Sequence, residues 1–326
     1  MNRDPMSSFR DRTRLFPDRD AWLSARCATL GASEAAALLG ESPFASPWDV
    51  WANKRRGTPI PETTEYNDEG GVDLNDPKMR GQVLEPLVGA AYTAATGRQH
   101  RPMWAAAFGK PGDIAITTHA TERWLSASLD AITLDLNLGE GCGEWKTAKD
   151  SYRWGRDGTW ISGTWESFDR VIPMHIGVQA LVQLAVSGLA YCDVGVLTGG
   201  LCFRHFRVLR HEPTLAALVD ELGRLYAHHI LDGAEPDVDG SAACIASARA
   251  KLAANRTKSR PATEEEGAWI DLLAARKAAA EAAEVARAHI LLAVRDCARL
   301  TLPPGLRGEP RGVRVSASGS VTPYGF

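Results

Sequence analysis

Apolar positions recur at helical spacing over much of the chain. Ser33 is the expected N-cap of a helix through EAAALLG that stops at Gly40. A second helix has Pro47 in its first turn, ends at Gly57 and turns Trp48, Val50 and Trp51 inward. A third runs from Met79 to Gly97, with Leu84, Leu87, Val88, Ala91 and Tyr92 on its apolar face. Glu85 sits among these residues and must either find a partner or point to solvent. MHIGVQALVQLAVSG, from Met174 to Gly188, reads as a buried helix. Its Gln179 and Gln183 share one face, and amides on so apolar a helix need polar partners. PTLAALVDELGRLYAHHILDG is amphipathic and closes a core region. Thr263 to Glu266 form a capping box that opens a long Ala-rich helix to about Leu300. Trp269, Ile270, Leu273, Val285, Ile290, Leu291 and Val294 fit its helical spacing.

Other stretches alternate with the period of strands. They are ITTH and WLSAS, the hairpin CDVGVLTGGLCFRHFRVLR, and a tail that reads as a strand or small hairpin. Leu125 to Thr147 reads as two strands joined by a Gly-rich turn, the first with Asp130 and the second with Glu144-Trp145-Lys146. Residues 58–78 are a polar loop, and 236–261 a transition zone. The segment after Lys146 is expected to be a long loop with short helical turns. Its basic residues interleaved with aromatics suit either a Trp-anchored surface loop or contact with nucleic acid. The pattern predicts an α+β fold, with a domain over 1–235 and an extension over 236–326.

Composition narrows the class. The chain has 326 residues, 44% hydrophobic and 24% charged, and a formal net charge of -3. Bulk charge does not announce nucleic acid, so any DNA contact must come from a local basic surface. The N-terminus lacks the apolar core of a secretory signal, and no apolar run is long enough to span a bilayer. The six cysteines, Cys27, Cys142, Cys192, Cys202, Cys244 and Cys297, contain no C-x-x-C pair. That argues against structural zinc and iron–sulfur clusters and fits free thiols in a reducing cytoplasm.

The chemistry concentrates on Asp130 and Glu144-Trp145-Lys146. Glu144 and Lys146 share one face of a strand and Trp145 takes the other. With Asp130 opposite, two carboxylates and an ammonium converge. Carboxylates that close repel, and a divalent cation removes the conflict. A solvated surface Glu–Lys pair is the plain alternative.

Several further segments carry a resemblance. Arg26 with Leu30-Gly31-Ala32-Ser33, SPFASPWDVWANKRRG, Arg80 to Pro86, Ser128-Leu129-Asp130, Glu144 to Thr147, and Ile172-Pro173…Gln179…Gly188 occur in one order over roughly residues 20 to 230. Together they resemble the YqaJ-type viral recombinase, or phage lambda exonuclease, family of the PD-(D/E)xK nuclease superfamily. Leu129 stands where the family often has Pro, and Leu181 replaces its second glutamine. The Ala-rich C-terminal segment lies outside the match.

The resemblance implies a restriction-endonuclease-like core with a mixed sheet between helices. It implies catalytic Glu85, Asp130, Glu144, Lys146 and Gln179, and metal ligation by Glu85, Asp130, Glu144 and the carbonyl of Trp145. Two Mg²⁺ ions are expected, with Mn²⁺ able to replace them. Arg26 and Ser33 match residues that bind a terminal 5′-phosphate, and Ser128 joins them at the substrate. The implied activity is 5′→3′ digestion of one strand of double-stranded DNA, leaving 3′ overhangs for recombination by annealing. A single-strand annealing protein and a ring-shaped homotrimer are the implied partners. A RecB-like nuclease of other polarity, an endonuclease and a catalytically idle DNA-binding protein stay open on sequence.

Overall fold

The computed structural model describes residues 9–56, 77–199, 202–250, 261–293, 299–302, 311–315 and 321–324. Most of the loop expected over 58–78 lies outside them. Two compact units run from 1 to 252 and from 253 to 326.

The first unit begins with β1 (Thr13–Phe16), α1 (Arg19–Cys27), β2 (Leu30–Gly31) and α2 (Ala32–Leu38). Asp18 caps α1 by accepting the Ala21 N–H at 2.8 Å. The N-cap of α2 is Gly31 rather than Ser33. The Glu34 carboxylate accepts the Gly31 N–H at 2.8 Å, and the Ser33 hydroxyl is engaged by Arg26 instead. Gly40 takes φ +76° just past the helix, as expected of a stop. Helix α3 (Pro47–Arg56) starts at a reciprocal Ser46–Asp49 cap. Helix α4 (Pro77–Thr96) buries Val88 and Tyr92, but Leu87 is exposed, so its apolar face is narrower than its sequence suggests.

Then follow β3 (Gln99–Pro102), α5 (Met103–Ala106), β4 (Ile114–Thr118), β5 (Leu125–Ala127), β6 (Ala131–Asp135), β7 (Gly139–Ala148) and β8 (Thr159–Ile161). The unit closes with α6 (Met174–Ser187), β9 (Tyr191–Thr198), β10 (Cys202–Leu209), α7 (Glu212–Leu225), a π-helical turn (Tyr226–Leu231) and α8 (Ala242–Ala250). β3 falls in the stretch of about 98–125 that reads as strands, but sequence pattern missed α5, β8 and α8, as well as β1 and β2 in the stretch of about 14–57 that reads as mainly helical. α5, β8 and β2 are too short for a period to register, and α8 lies in the stretch read as a transition zone. α8 nonetheless packs on α3, and Trp48 donates to the Asp237 carbonyl at 2.8 Å.

Leu125 to Thr147 forms three strands, not two. β5 belongs to a four-stranded sheet of order β1-β4-β5-β2. The chain leaves it through Ser128-Leu129-Asp130 and enters a six-stranded sheet as β6. Asp130 therefore precedes its strand instead of lying within it. Asp135 accepts the Asn137 and Leu138 N–H groups to turn β6 into β7.

The six-stranded sheet has the order β3-β6-β7-β9-β10-β8. β3, β6 and β7 are antiparallel, whereas β9 runs parallel to β7 after the α6 crossover. β10 returns antiparallel to β9, and β8 pairs parallel to β10. A helix, three antiparallel strands, a crossover helix and a parallel strand form the mixed α+β core expected of a restriction-endonuclease-like fold.

A buried ionic knot ties this sheet to α4. The Arg207 guanidinium, 1% exposed, donates to both carboxylate oxygens of Asp193 at 2.7 Å and to Asp135 at 2.6 Å. It also lies 3.9 Å from the Tyr191 ring centroid. The Tyr92 hydroxyl of α4 donates to the same Asp193 at 2.5 Å.

In the second unit, α9 (Glu264–Ala293) opens on the expected capping box, with Thr263 N–H to Glu266 at 2.9 Å and Glu266 N–H to Thr263 at 3.2 Å. Trp269, Ile270, Leu273 and Val285 stay exposed on it. Arg299–Leu302 is strand β11, so the helix does not reach Leu300. It pairs with β12 (Arg311–Val315), and β12 with β13 (Val321–Tyr324), confirming a β tail.

Arg207→Ala leaves the buried Asp193 carboxylate without its cation, whereas Asp135 keeps Arg98 at 3.1 Å, and it should destabilise the first unit by about 3–5 kcal/mol. A urea midpoint that falls sharply checks this, because the loss greatly exceeds that for removing a surface ion pair.

Candidate active site

Alternation along β7 builds the site. Glu144 faces α6, where its carboxylate, 1% exposed, is held from three directions. Gln179 donates to one oxygen at 2.7 Å, Gln183 donates to the other, and the Lys146 ammonium pairs with the first. The two glutamines have thus found the polar partner that their shared face demanded. Gln183 also accepts the Cys192 thiol at 3.4 Å, which orients its amide. Trp145 faces the other way and packs beside Tyr92 of α4, ring centroids 5.1 Å apart. Its indole also crosses Gly195 of β9, where a β-carbon would lie 2.9 Å from the ring.

Asp130 lies just before β6 begins. Ala131 pairs with Gly143, so β7 runs on past the end of its neighbour. The Asp130 carboxylate accepts the Trp145 N–H, which no strand covers, at 2.6 Å. Burial raises the Asp130 pKa well above the usual carboxylate value, and Glu144 and Glu85 add to this. Lys146 and the Trp145 N–H oppose the rise. Glu85 opens toward solvent on α4, yet burial first and Glu144 second also raise its pKa, against Lys146. Burial works against the Lys146 ammonium, but Glu144, Asp130 and Glu85 outweigh it and raise its pKa. Glu85, Asp130, Glu144 and Lys146 therefore share one electrostatic environment, with three acids against one ammonium.

Among the described residues, no three carboxylate, imidazole or thiol side chains are drawn up as a metal cage. Asp130 is turned to a backbone N–H, and Glu144 to Lys146 and the glutamines. The donors are nonetheless hard oxygens with excess negative charge, the chemistry that Mg²⁺ and Mn²⁺ favour.

The second cluster joins the remaining sequence-derived residues. Arg26 donates to the Ser33 hydroxyl at 2.8 Å, and its guanidinium lies 4.6 Å from the Trp22 ring centroid. The Trp22 indole N–H donates to Ser128 at 3.0 Å. Behind Arg26, Lys54 pairs with Glu34 at 2.7 Å and donates to the Arg26 carbonyl at 2.8 Å. A cleft of about 500 Å³ is lined by Trp22 and Ser128 of the second cluster and by Glu85, Asp130 and Trp145, while Arg26, Ser33, Glu144 and Lys146 do not line it. Gln183, Trp22, Glu34 and Lys54 were not assigned to the site from sequence. Only Gln183 gave a signal, through its spacing from Gln179.

Residues 21–190 match the YqaJ-like viral recombinase domain, a span that holds both clusters. The chain belongs to the YqaJ-like viral recombinase family. Its membership gives it a nuclease role in recombination, that of a deoxyribonuclease, and nucleases of this family generally use divalent metal ions. The YqaJ protein of Bacillus subtilis is 25% identical over 261 residues, 79% of this chain and 68% of that protein. An alkaline exonuclease (LHK-Exo) from Laribacter hongkongensis is 19% identical with a TM-score of 0.44, over 66% of this chain and 94% of its own. LHK-Exo in complex with dAMP gives 20% identity and a TM-score of 0.43 over the same shares.

The crowded acids make a prediction for the metal-free recombinase-family protein. A carboxyl with a raised folded pKa binds more protons folded than unfolded, so stability falls as pH rises from the unfolded value toward the folded one. Asp130→Asn removes that charge and keeps an oxygen for the Trp145 N–H. In EDTA near neutral pH its melting temperature should exceed that of the parent by about 2–4 °C per kcal/mol of repulsion relieved. The gain should shrink toward pH 4. Melting curves across pH check this.

Proposed function

We propose that this protein is a divalent-metal-dependent 5′→3′ exonuclease that digests one strand of double-stranded DNA from its end and leaves a 3′ overhang for annealing. The single observation that carries this reading is the shared cleft. Trp22 and Ser128 line it together with Glu85, Asp130 and Trp145, and Arg26 lies over the Trp22 ring while donating to Ser33. A phosphate-sized anion at Arg26 would hold a DNA end beside the acids, and a guanidinium fork suits a terminal phosphate. The polarity follows from the family resemblance of Arg26 and Ser33.

Glu85, Asp130, Glu144 and the Trp145 carbonyl would hold Mg²⁺, two ions in all, or Mn²⁺ in its place. Bound there, the ions supply positive charge and Lewis acidity to the scissile phosphate. Lys146 presents an ammonium, held by Glu144, toward the charge that grows on that phosphate. Gln179 and Gln183 keep Glu144 in its rotamer, and Trp22 keeps Ser128 and Arg26 at the substrate. Half-buried Met79, early in α4, would wedge the strands apart in this reading.

We assign this chemistry to residues 1–235 and treat 236–326 as an extension. The same reading expects a ring-shaped trimer, a single-strand annealing partner and action in the cytoplasm. No helix of the described residues is long and apolar enough to cross a membrane.

Digestion of end-labelled linear duplex with and without Mg²⁺ tests the proposal. A receding 5′ end that needs the metal is expected, and a receding 3′ end or cleavage of closed circles would overturn it. Lys146→Ala should cut at least ~100-fold more slowly and still bind DNA. Arg26→Ala should lose most of the preference for 5′-phosphorylated over unphosphorylated ends, read as the ratio of the two rates.

A further inference from the structure

Phe44 is one of the most exposed large apolar residues of the described chain, at 83%. It lies between α2 and α3, and that connection is well held. Gly40 turns it out of α2, Ser42 accepts the Phe44 N–H at 3.2 Å, and Ser46 with Asp49 starts the next helix. A fixed backbone thus presents a ring that contributes little to the core. Its aromatic neighbour is His175, with ring centroids 5.3 Å apart at 84°. His175, Gln179 and Gln183 follow one another at intervals of four on α6, so the imidazole tops the stripe that grips Glu144. Burial, with the charges of Lys146 and Arg153, pushes the His175 pKa down to about 4, so at neutral pH the imidazole is uncharged. Arg153 itself lies over the exposed ring of Tyr152, 5.4 Å from its centroid.

We infer that Phe44 and His175 form a stacking shelf for an unpaired nucleobase of the strand being cut. An open aromatic face suits a base, because every base has a π-face whatever its sequence. The flanking cations, Lys146 and Arg153, suit the phosphates on either side of that base. Lys146 is shared with Glu144, but Arg153 over the exposed Tyr152 ring is a cation that a purely apolar partner would not match. His175 shares the α6 stripe with the two glutamines on Glu144, the partner of Lys146, so the shelf would steady the base beside the phosphate under attack. The inference rests on the exonuclease reading and adds a contact to it.

The test uses 5′-phosphorylated duplexes with 2-aminopurine at the first or the second nucleotide, bound by the full chain in EDTA so that no cleavage occurs. Stacking on Phe44 should quench the probe at one of the two positions. Phe44→Ala and Phe44→Leu should both restore the fluorescence and weaken binding about tenfold. With an abasic residue at that position, parent and variants should bind alike. Since Phe44 is exposed, folding is not at stake. Quenching and affinity unchanged in Phe44→Ala, or retained in Phe44→Leu, would overturn the shelf while cleavage by the parent upheld the nuclease. A parent protein that neither binds duplex ends nor cuts them with Mg²⁺ would overturn both.

Discussion

Everything at the centre of this molecule turns on one excess of negative charge. Glu85, Asp130 and Glu144 come from a helix, a strand entry and a mid-strand position, and Lys146 is the ammonium set against them. Gathering like charges, one of them fully buried, is costly unless hydrogen bonds and counter-charge offset it. The fold supplies both in part. α6 gives two amides to Glu144, and β7 gives a backbone N–H to Asp130. The remaining repulsion is the physical basis for reading this as a divalent cation site.

The sheet makes that arrangement possible through strand lengths. β6 ends where β7 continues, so Trp145 has a backbone donor free on that side. Asp130 fills the gap without needing to be in a strand. On the opposite face, Tyr92 joins Trp145 to the Asp193–Arg207 knot and so fixes α4, which carries Glu85. The buried ionic network and the site therefore share a helix, and the stability of one supports the geometry of the other.

Much of this was legible in the sequence. Alternation placed Glu144 and Lys146 on one side of a strand and Trp145 on the other, because a pleat allows nothing else. The spacing of Gln179 and Gln183 announced a polar partner that proved to be Glu144. Arg26 and Ser33, found through the family motif, do touch. Other features had no local signature. Whether Asp130 lay within a strand or before one depended on a change of sheet, and periodicity is blind to that. Short elements such as β2 and β8 derive their existence from neighbours distant in sequence. Lys54 sits on an ordinary helix, and only the tertiary fold sets it against Glu34. Trp269, Ile270, Leu273 and Val285 on α9 show the converse, a helical apolar pattern whose residues are exposed among the described residues.

The parallel pairing of β7 with β9 also bears on when the protein acquires its chemistry. That pairing closes only after the whole of α6 has been laid down as a crossover. Before it closes, Glu144 lacks Gln179 and Gln183, and the acids have no common floor. Such non-local pairing is slow to form, since the chain must lose the entropy of a long loop before any contact rewards it. A nascent or half-assembled chain therefore lacks the hydrogen bonds that hold Glu144, and the topology itself delays that acidic cluster until α6 and β9 are in place.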